Sequence, residues 1–419
     1  MDALLITGQQ RLRGEVAVAG AKNAALPILA STLLGGEECV LGNLPRVRDV
    51  FTMYTLLRMI GASVKCEGHC AVIKTADVHS TEAPYDLVKT MRASVLVLGP
   101  LLARFGQAMV SLPGGCAIGP RPVNFHLDGL TKLGAHIRLE HGYILAEASK
   151  LHGARIDLAL PTVTGTENLM MAACLADGTT VINNAAKEPE VVDLARSLVR
   201  RGAKIHGAGS ERIVVQGVSR LQGMDYSVIP DRIEAGTLLM AGAITGGDVH
   251  VKHCHPGHLD AVLSKLGECG VEIHEGRTSI RVRAPRRLRA VNVQTFPYPG
   301  FPTDLQAQMM ALMCVAEGTS VISETVFENR FLHVSELQRM GASILVEGAR
   351  AVIQGLPALS GAPVMASDLR ASAGLVVAGL AAQGETRVSR IYHLERGYER
   401  LEEKLQVLGA SIKRVPAPV

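Results

Sequence analysis

The chain has 419 residues, 47% of them hydrophobic and 20% charged, with 43 Gly and no Trp; that length exceeds one ordinary core and sets two or three domains as the expectation. A net charge of +4, without an interleaved Lys/Arg/aromatic platform, argues against a nucleic-acid surface. No apolar stretch reaches the roughly 18 residues that a membrane span needs, so no membrane segment is expected.

The start, MDALLITGQQRLRGEV, has no basic region followed by an apolar run, so no secretory leader is expected. Eight cysteines stand at 39, 66, 70, 116, 174, 254, 269 and 314. Their spacing is irregular. Cys39, Cys174 and Cys314 lie in apolar runs and read as small core residues, which fits a reduced, cytoplasmic setting.

One element recurs six times along the chain: an amphipathic helix that ends in Gly, then a strand. It reads LLRMIGASVKC at 56–66, LTKLGAHIRL at 130–139, LVRRGAKIHG at 198–207, LGECGVEIHE at 266–275, LQRMGASILV at 337–346 and LQVLGASIKR at 405–414. The glycines 61, 134, 202, 270, 341 and 409 stand 68 to 73 residues apart. Each supplies the left-handed position that closes a helix. A second strand follows, as in AVIKT (71–75), YILAEA (143–148), IVVQG (213–217), IRVRA (280–284) and AVIQG (351–355). Then comes a helix that is apolar nearly all round, as in ENLMMAACLADG, AQMMALMCVAEG and RASAGLVVAGLAAQG. Such a helix must be buried.

The sixth repeat stops before its second strand. The first residues, LLITGQQRLRGEVAVAG, resemble AVIQGLPALSGAPVMAS in order and spacing, so the N-terminal strand is expected to complete the last repeat. The domains are then 22–229 and 1–21 plus 230–419. Two crossings, near residues 20–22 and 229–231, make a hinge, and a cleft between domains is a usual ligand site.

The starts of the apolar helices are polar. They carry Lys22 and Asn23, Arg92, Glu167 and Asn168, Asp231 and Glu234, Asp304 and Gln306, and Asp368 and Arg370. Capping accounts for the acids: Thr303-Asp304-Leu305-Gln306 fits a capping box, and Ser367 or Asp368 suits the last helix. Capping does not account for Lys22, Arg92 and Arg370, which oppose the helix dipole unless an anion binds beside them. Arg121, before the helix pattern PVNFHLDGLTKL, belongs to the same class, as do Arg330 and Arg396. The loop LPGGCAIGPRP (112–122) has no packing face, yet places the thiol of Cys116 five residues from Arg121.

KHCHPGHLD (252–260) has the composition of a metal site. In the repeat it is a loop and helix start, equivalent to NLPRVRDV, which holds no ligands, so no metal is expected. Cys66 and Cys70 fall in a strand–turn–strand pattern as free thiols.

PGGCAIGPRP, AGAKNAALPILA, TVTGTENLMMAA, AAKEPEVVDLA, GFPTDLQAQ, ETVFENRF, DLRASAGLVVAG and RIYHLERGYERLEEKLQVLGA together resemble the UDP-N-acetylglucosamine branch of the enolpyruvyl transferase (EPSP synthase) family. The likeness runs from about residue 5 to 414. It implies an α/β fold: a two-domain inside-out α/β barrel, with three βαβαββ-type repeats in each domain. It implies transfer of the enolpyruvyl group of phosphoenolpyruvate to the 3′-hydroxyl of UDP-N-acetylglucosamine, by addition then elimination, for peptidoglycan synthesis. Enolpyruvylshikimate-phosphate synthesis and a non-catalytic sugar-nucleotide binder are the alternatives.

The resemblance makes Cys116 the general acid toward C3 of phosphoenolpyruvate, with a thiol pKa depressed by nearby cations, and Asp304 the base for the sugar hydroxyl. Lys22, Arg121 and Arg396 match phosphate-binding cations, Arg330 and Arg370 further cationic positions, and Asn23 a contact to phosphoenolpyruvate. Arg92, the run Arg121, Pro122, Val123, Asn124 and Phe125, the run Thr162, Val163, Thr164 and Gly165, and Val326 match sugar-nucleotide contacts. Some relatives carry Lys at the position of Leu160 and Ser-Val-Gly at 162–164, a departure that bears on one cationic contact. Asp231, Glu190 and His126 resemble other polar residues of the site. No cofactor is implied, the partners are the two substrates, and a monomer is expected.

Overall fold

The computed structural model describes residues 2–112 and 123–416. Its described residues form two units: one takes residues 2–19 and 230–416, the other 20–112 and 123–229. Each unit holds three four-stranded sheets.

All six sheets share one topology. An edge strand pairs parallel with its neighbour, and the remaining pairs are antiparallel. In the Gly20–Ile229 unit, Arg155–Asp157 runs parallel to Thr179–Asn183, which pairs antiparallel with Arg212–Gln216, and that strand with Lys204–His206. In the other unit, Pro363–Met365 runs parallel to Glu385–Ser389. Next to Glu385–Ser389 lies the N-terminal strand Asp2–Thr7, which is antiparallel both to it and to Ser411–Pro416.

Two edge strands come from distant parts of the chain. Arg13–Ala17 pairs parallel with Asp248–Lys252, and Met224–Ser227 with Cys39–Gly42. Each ends just before the chain passes from one unit to the other. Within its own unit each passage is anchored by backbone: Ala21 N–H donates to Ile229 C=O at 2.7 Å, and Asp231 N–H to Ala19 C=O at 2.9 Å.

The glycines at 61, 134, 202, 270, 341 and 409 have φ between 90° and 106°. That conformation suits a residue without Cβ and ends the helix before each. The five second strands lie within one residue of their sequence patterns, as Cys70–Lys74, Tyr143–Glu147, Arg212–Gln216, Ser279–Arg283 and Arg350–Gln354.

The apolar helices form the middle of each unit. In one unit they are Lys22–Ser31, Leu98–Phe105 and Val163–Ala173; in the other they are Arg232–Ile244, Gln306–Met313 and Leu369–Ala381. Every residue of Gln306–Met313 is buried. Each fully buried Met or Leu there contributes about 2 kcal/mol of transfer free energy. Gly374 lets this helix approach Leu369–Ala381 closely: a Cβ at 374 would lie 2.9 Å from the backbone carbonyl of Ala307.

Helix starts differ in how they are capped. Asp231 accepts from the N–H groups of Ile233 (2.7 Å) and Glu234 (3.1 Å), Asp368 from those of Arg370 (2.7 Å) and Ala371 (3.0 Å), and Thr162 from Gly165 at 3.3 Å. The capping box expected at Thr303 does not form. Pro302 stands at that start, ahead of a 3₁₀ turn Thr303–Leu305, and the Thr303 hydroxyl is drawn into the side-chain network described next. Helix Lys22–Ser31 has no side-chain cap at its start. Its far end meets cations, as a helix dipole favours. Arg201 donates to Ser31 C=O, and Arg104 to the carbonyls of Leu33 (3.0 Å) and Gly35 (2.9 Å).

Candidate functional site

The unit containing Pro230–Val419 gathers three of the candidate residues. Asp304 lies in the turn before the buried helix Gln306–Met313, Arg370 at the start of Leu369–Ala381, and Arg330 in the segment before helix Val334–Arg339. Arg330 Nη2 donates to Asp304 Oδ1 at 2.8 Å, and Arg370 Nε to Asp304 Oδ2 at 3.0 Å. Both arginines are at most 5% exposed. Two charge-assisted contacts from buried guanidinium groups hold the carboxylate in one orientation.

A second ring of bonds supports them. The Thr303 hydroxyl accepts from Arg330 Nη1 at 3.1 Å and donates to Glu324 Oε2 at 2.9 Å. Glu324 Oε1 accepts from Thr295 Oγ1 at 2.8 Å and from the backbone N–H groups of Val326 and Phe327. Glu324 thereby orients Val326, a candidate sugar contact. Beneath Arg370 the Tyr398 ring centroid is 5.2 Å from the guanidinium carbon, a cation–π arrangement. Gln308 donates to the Tyr398 hydroxyl and to Thr237 Oγ1, each at 3.0 Å. Among the described residues Arg370 Nη1 is buried with no hydrogen-bond acceptor in good geometry. Arg396 closes the 3₁₀ turn Leu394–Arg396 of this unit.

In the Gly20–Ile229 unit, Lys22 opens its helix and Asn23 follows it. Lys22 Nζ lies 3.3 Å from Asp49 Oδ2, with both residues buried. A buried acid beside it offsets the cost of a cation at a helix start. Arg92 opens the turn Arg92–Val97. Val123 precedes the helix Asn124–Lys132, which carries Asn124, Phe125 and His126. His126 meets the start of Val163–Ala173, where Thr162, Val163, Thr164 and Gly165 stand: its Nε2 lies 3.3 Å from Thr164 Oγ1. Burial, and secondarily the charge of Arg92, lowers the His126 pKa to about 3.

Cys116, Arg121 and Pro122 lie outside the described residues. Asp231 is a helix cap in its own unit. Glu190 is buried in the first turn of Pro189–Arg200, and it joins Glu188 in raising the pKa of buried Glu167, whose main cause is desolvation.

Sequence reasoning missed Asp49, Thr303, Glu324, Tyr398 and Gln308 as parts of these arrangements. Two weak signals existed. Asp49 interrupts the repeat segment NLPRVRDV, and Glu324 opens ETVFENRF. Nothing local marks either as a partner of residues more than twenty positions away. Among the described residues no group of His, Cys, Asp and Glu could hold a metal ion, and no helix is long and apolar enough to cross a membrane.

The sequence pattern of the family EPSP synthase (3-phosphoshikimate 1-carboxyvinyltransferase) matches residues 6–405. Two proteins named UDP-N-acetylglucosamine 1-carboxyvinyltransferase, from Thermodesulfovibrio yellowstonii and Geobacter metallireducens, are each 59% identical to this chain. Those matches span 416 and 415 residues, 99% of this chain and 100% of each relative. Among solved structures, the enolpyruvyl transferase NikO from Streptomyces tendae is similar with a TM-score of 0.89 at 27% identity, covering 100% of this chain and 99% of that one. EPSP synthase from Acinetobacter baumannii has a TM-score of 0.76 at 17% identity over 99% of this chain and 100% of its own, which establishes likeness of fold.

Proposed function

The chain belongs to the EPSP synthase family, and from that premise we propose that it is a UDP-N-acetylglucosamine 1-carboxyvinyltransferase. It transfers the enolpyruvyl group of phosphoenolpyruvate to the 3′-hydroxyl of UDP-N-acetylglucosamine and releases phosphate. The observation that carries the choice of acceptor is the 59% identity to proteins of that name over nearly the whole chain.

The chemistry needs a base for the sugar hydroxyl, an acid for the enol ether and cations for a phosphate and a carboxylate. In the addition step the sugar oxygen bonds to C2 of phosphoenolpyruvate, its proton passes to a base, and C3 gains a proton. In the elimination step the C2–O bond to phosphate breaks and C3 gives up a proton. We assign Asp304 as the base, oriented by Arg330 and Arg370. We assign Cys116 as the acid toward C3. Lys22, Arg121 and Arg396 take the phosphate, and Asn23 contacts phosphoenolpyruvate.

The sugar nucleotide falls to Arg92, Arg121 to Phe125, Thr162 to Gly165, and Val326. A chain with this role commits the sugar nucleotide to peptidoglycan, works in the cytoplasm as a monomer, and is alkylated at Cys116 by the epoxide fosfomycin.

Phosphate release tests the assignment. The protein is mixed with phosphoenolpyruvate and either UDP-N-acetylglucosamine or shikimate 3-phosphate. Release with the sugar nucleotide alone is expected. Release only with shikimate 3-phosphate would transfer the chain to the other branch, and binding of the sugar nucleotide without release would make it a non-catalytic binder.

A further inference from the structure

Three side chains in the Gly20–Ile229 unit form a directed chain of hydrogen bonds that ends on Thr164. Its direction is set by backbone groups that have only one role each. Asn168 Oδ1 lies 2.7 Å from Gly99 N, and Asn168 Nδ2 lies 3.1 Å from Val95 O. Gly99 N–H can only donate and Val95 C=O can only accept, so the amide has one orientation.

The same Nδ2 lies 3.0 Å from His126 Nδ1. An amide nitrogen donates, so His126 Nδ1 accepts and the neutral ring carries its proton on Nε2. That Nε2 is 3.3 Å from Thr164 Oγ1, which therefore accepts. His126 is 3% exposed, Asn168 is fully buried, and the depressed imidazole pKa agrees with a neutral ring. Once Thr164 Oγ1 accepts from the ring, its own proton must go elsewhere, and among the described residues no acceptor takes it.

We propose that Asn168 and His126 are positioning residues that hold Thr164 as a hydrogen-bond donor to an acceptor oxygen of the bound sugar nucleotide. The substrate half of this proposal rests on the function assigned above; the tautomer does not. His126 touches no reacting atom here. It acts through Thr164, and Asn168 acts through His126. A histidine free to turn over to its Nδ1–H form would instead accept a hydrogen bond from the Thr164 hydroxyl and leave only that oxygen's lone pairs for the ligand, which repel an anionic one.

Two measurements test this. The first is the ¹⁵N spectrum of the imidazoles in the wild-type protein at neutral pH, with His126→Gln used to assign the signal. A neutral ring protonated at Nε2 is expected. A ring protonated at Nδ1, or a doubly protonated one, overturns the proposal.

The second is steady-state kinetics. His126→Leu should raise KM for UDP-N-acetylglucosamine roughly tenfold, the worth of one good hydrogen bond, while KM for phosphoenolpyruvate stays within about twofold. His126→Gln, whose amide N–H reaches the place of Nε2–H, should recover most of the loss. Thr164→Val should match His126→Leu, and combining the two should add little, because both remove one interaction. Additive losses, or equal rises in both KM values, overturn it. An Nε2–H signal in a protein that transfers nothing to UDP-N-acetylglucosamine would refute the assigned function and the substrate half together, leaving the tautomer standing.

Discussion

Arg370 Nε donates to Asp304 Oδ2 at 3.0 Å, from a guanidinium that is only 3% exposed. Removing the charge of Asp304 leaves this arginine and Arg330 facing a neutral amide. Asp304→Asn is expected to lower kcat for phosphate release by about 10² or more, the usual scale for a positioned base. It should also destabilise the unit by about 3 kcal/mol, because a buried pair is broken from one side. Parallel turnover and urea-unfolding measurements check it. Near-normal turnover in a destabilised protein would reduce Asp304 to a structural role.

Arg370→Lys tests geometry rather than charge. A lysine ammonium is a point charge and cannot both donate along the Nε direction and keep a guanidinium's contact with the Tyr398 ring. A loss of at least about tenfold in kcat/KM for phosphoenolpyruvate is expected, equivalent to about 1.4 kcal/mol. Equal activity of the two forms would show that only charge matters at this position.

Burial holds His126 neutral, at a pKa of about 3. An unfolded histidine binds its proton near pH 6.5. Between those values the unfolded state carries the extra proton, so this ring makes stability fall as pH falls below about 6.5. His126→Gln cannot take up that proton. It should therefore lose less stability than wild type between pH 6.5 and 5, by about 2 kcal/mol. The buried acid Asp193, pushed up to about 6 by desolvation, acts in the opposite sense and is common to both proteins. Identical pH slopes would mean that the folded ring is protonated normally.

Gly374→Ala should lower the melting temperature. The added Cβ would sit 2.9 Å from Ala307 backbone atoms, and two fully packed helices would have to separate. Overpacking of this kind costs about 1–3 kcal/mol, or roughly 2–4 °C per kcal/mol for a unit of this size. An unchanged melting temperature would show that the helices have slack.

The thiols sort by burial. Desolvation pushes Cys174, Cys269 and Cys314 up to about 12 and Cys254 to about 11, so they should resist alkylation at pH 7.5. Cys66 and Cys70 are exposed and should react. In a Cys66→Ser/Cys70→Ser protein, peptide mapping after brief iodoacetamide treatment should find label at Cys116. Fosfomycin should label the same thiol, faster with UDP-N-acetylglucosamine present. Indifference to the sugar nucleotide would show that its binding does not change the reactivity of the Cys116 thiol.

Much of the fold was legible because its signals are local. A glycine at positive φ after an amphipathic helix pattern closes that helix, and the six that stand at this point of the pattern mark six repeats. An apolar helix with a polar first turn announces burial with one end at a site. Asp231, Asp368 and Thr162 cap as their side chains suggest. Thr303 does not, because a bond to Glu324 and another from Arg330 outcompete a cap that must also contend with Pro302. The site was legible as residue types and not as pairs. Asp304, Arg330 and Arg370 could each be singled out as candidates, but nothing in the chain says that one carboxylate holds both guanidinium groups. Asp49 reads as a first-turn helix acid until Lys22 is found 3.3 Å away.

Local sequence specifies the repeat, its period and its buried helices, and its long motifs specify the family. These rest on backbone conformation and hydropathy, which act over a few residues. Most strand neighbours come from long-range contacts that no local signal carries. The tertiary structure set Arg13–Ala17 against Asp248–Lys252, and it set the direction of the chain from Asn168 through His126 to Thr164. Those depend on groups dozens to hundreds of residues apart meeting within 3 Å or so. A hydrogen bond has a direction only when both partners are in place.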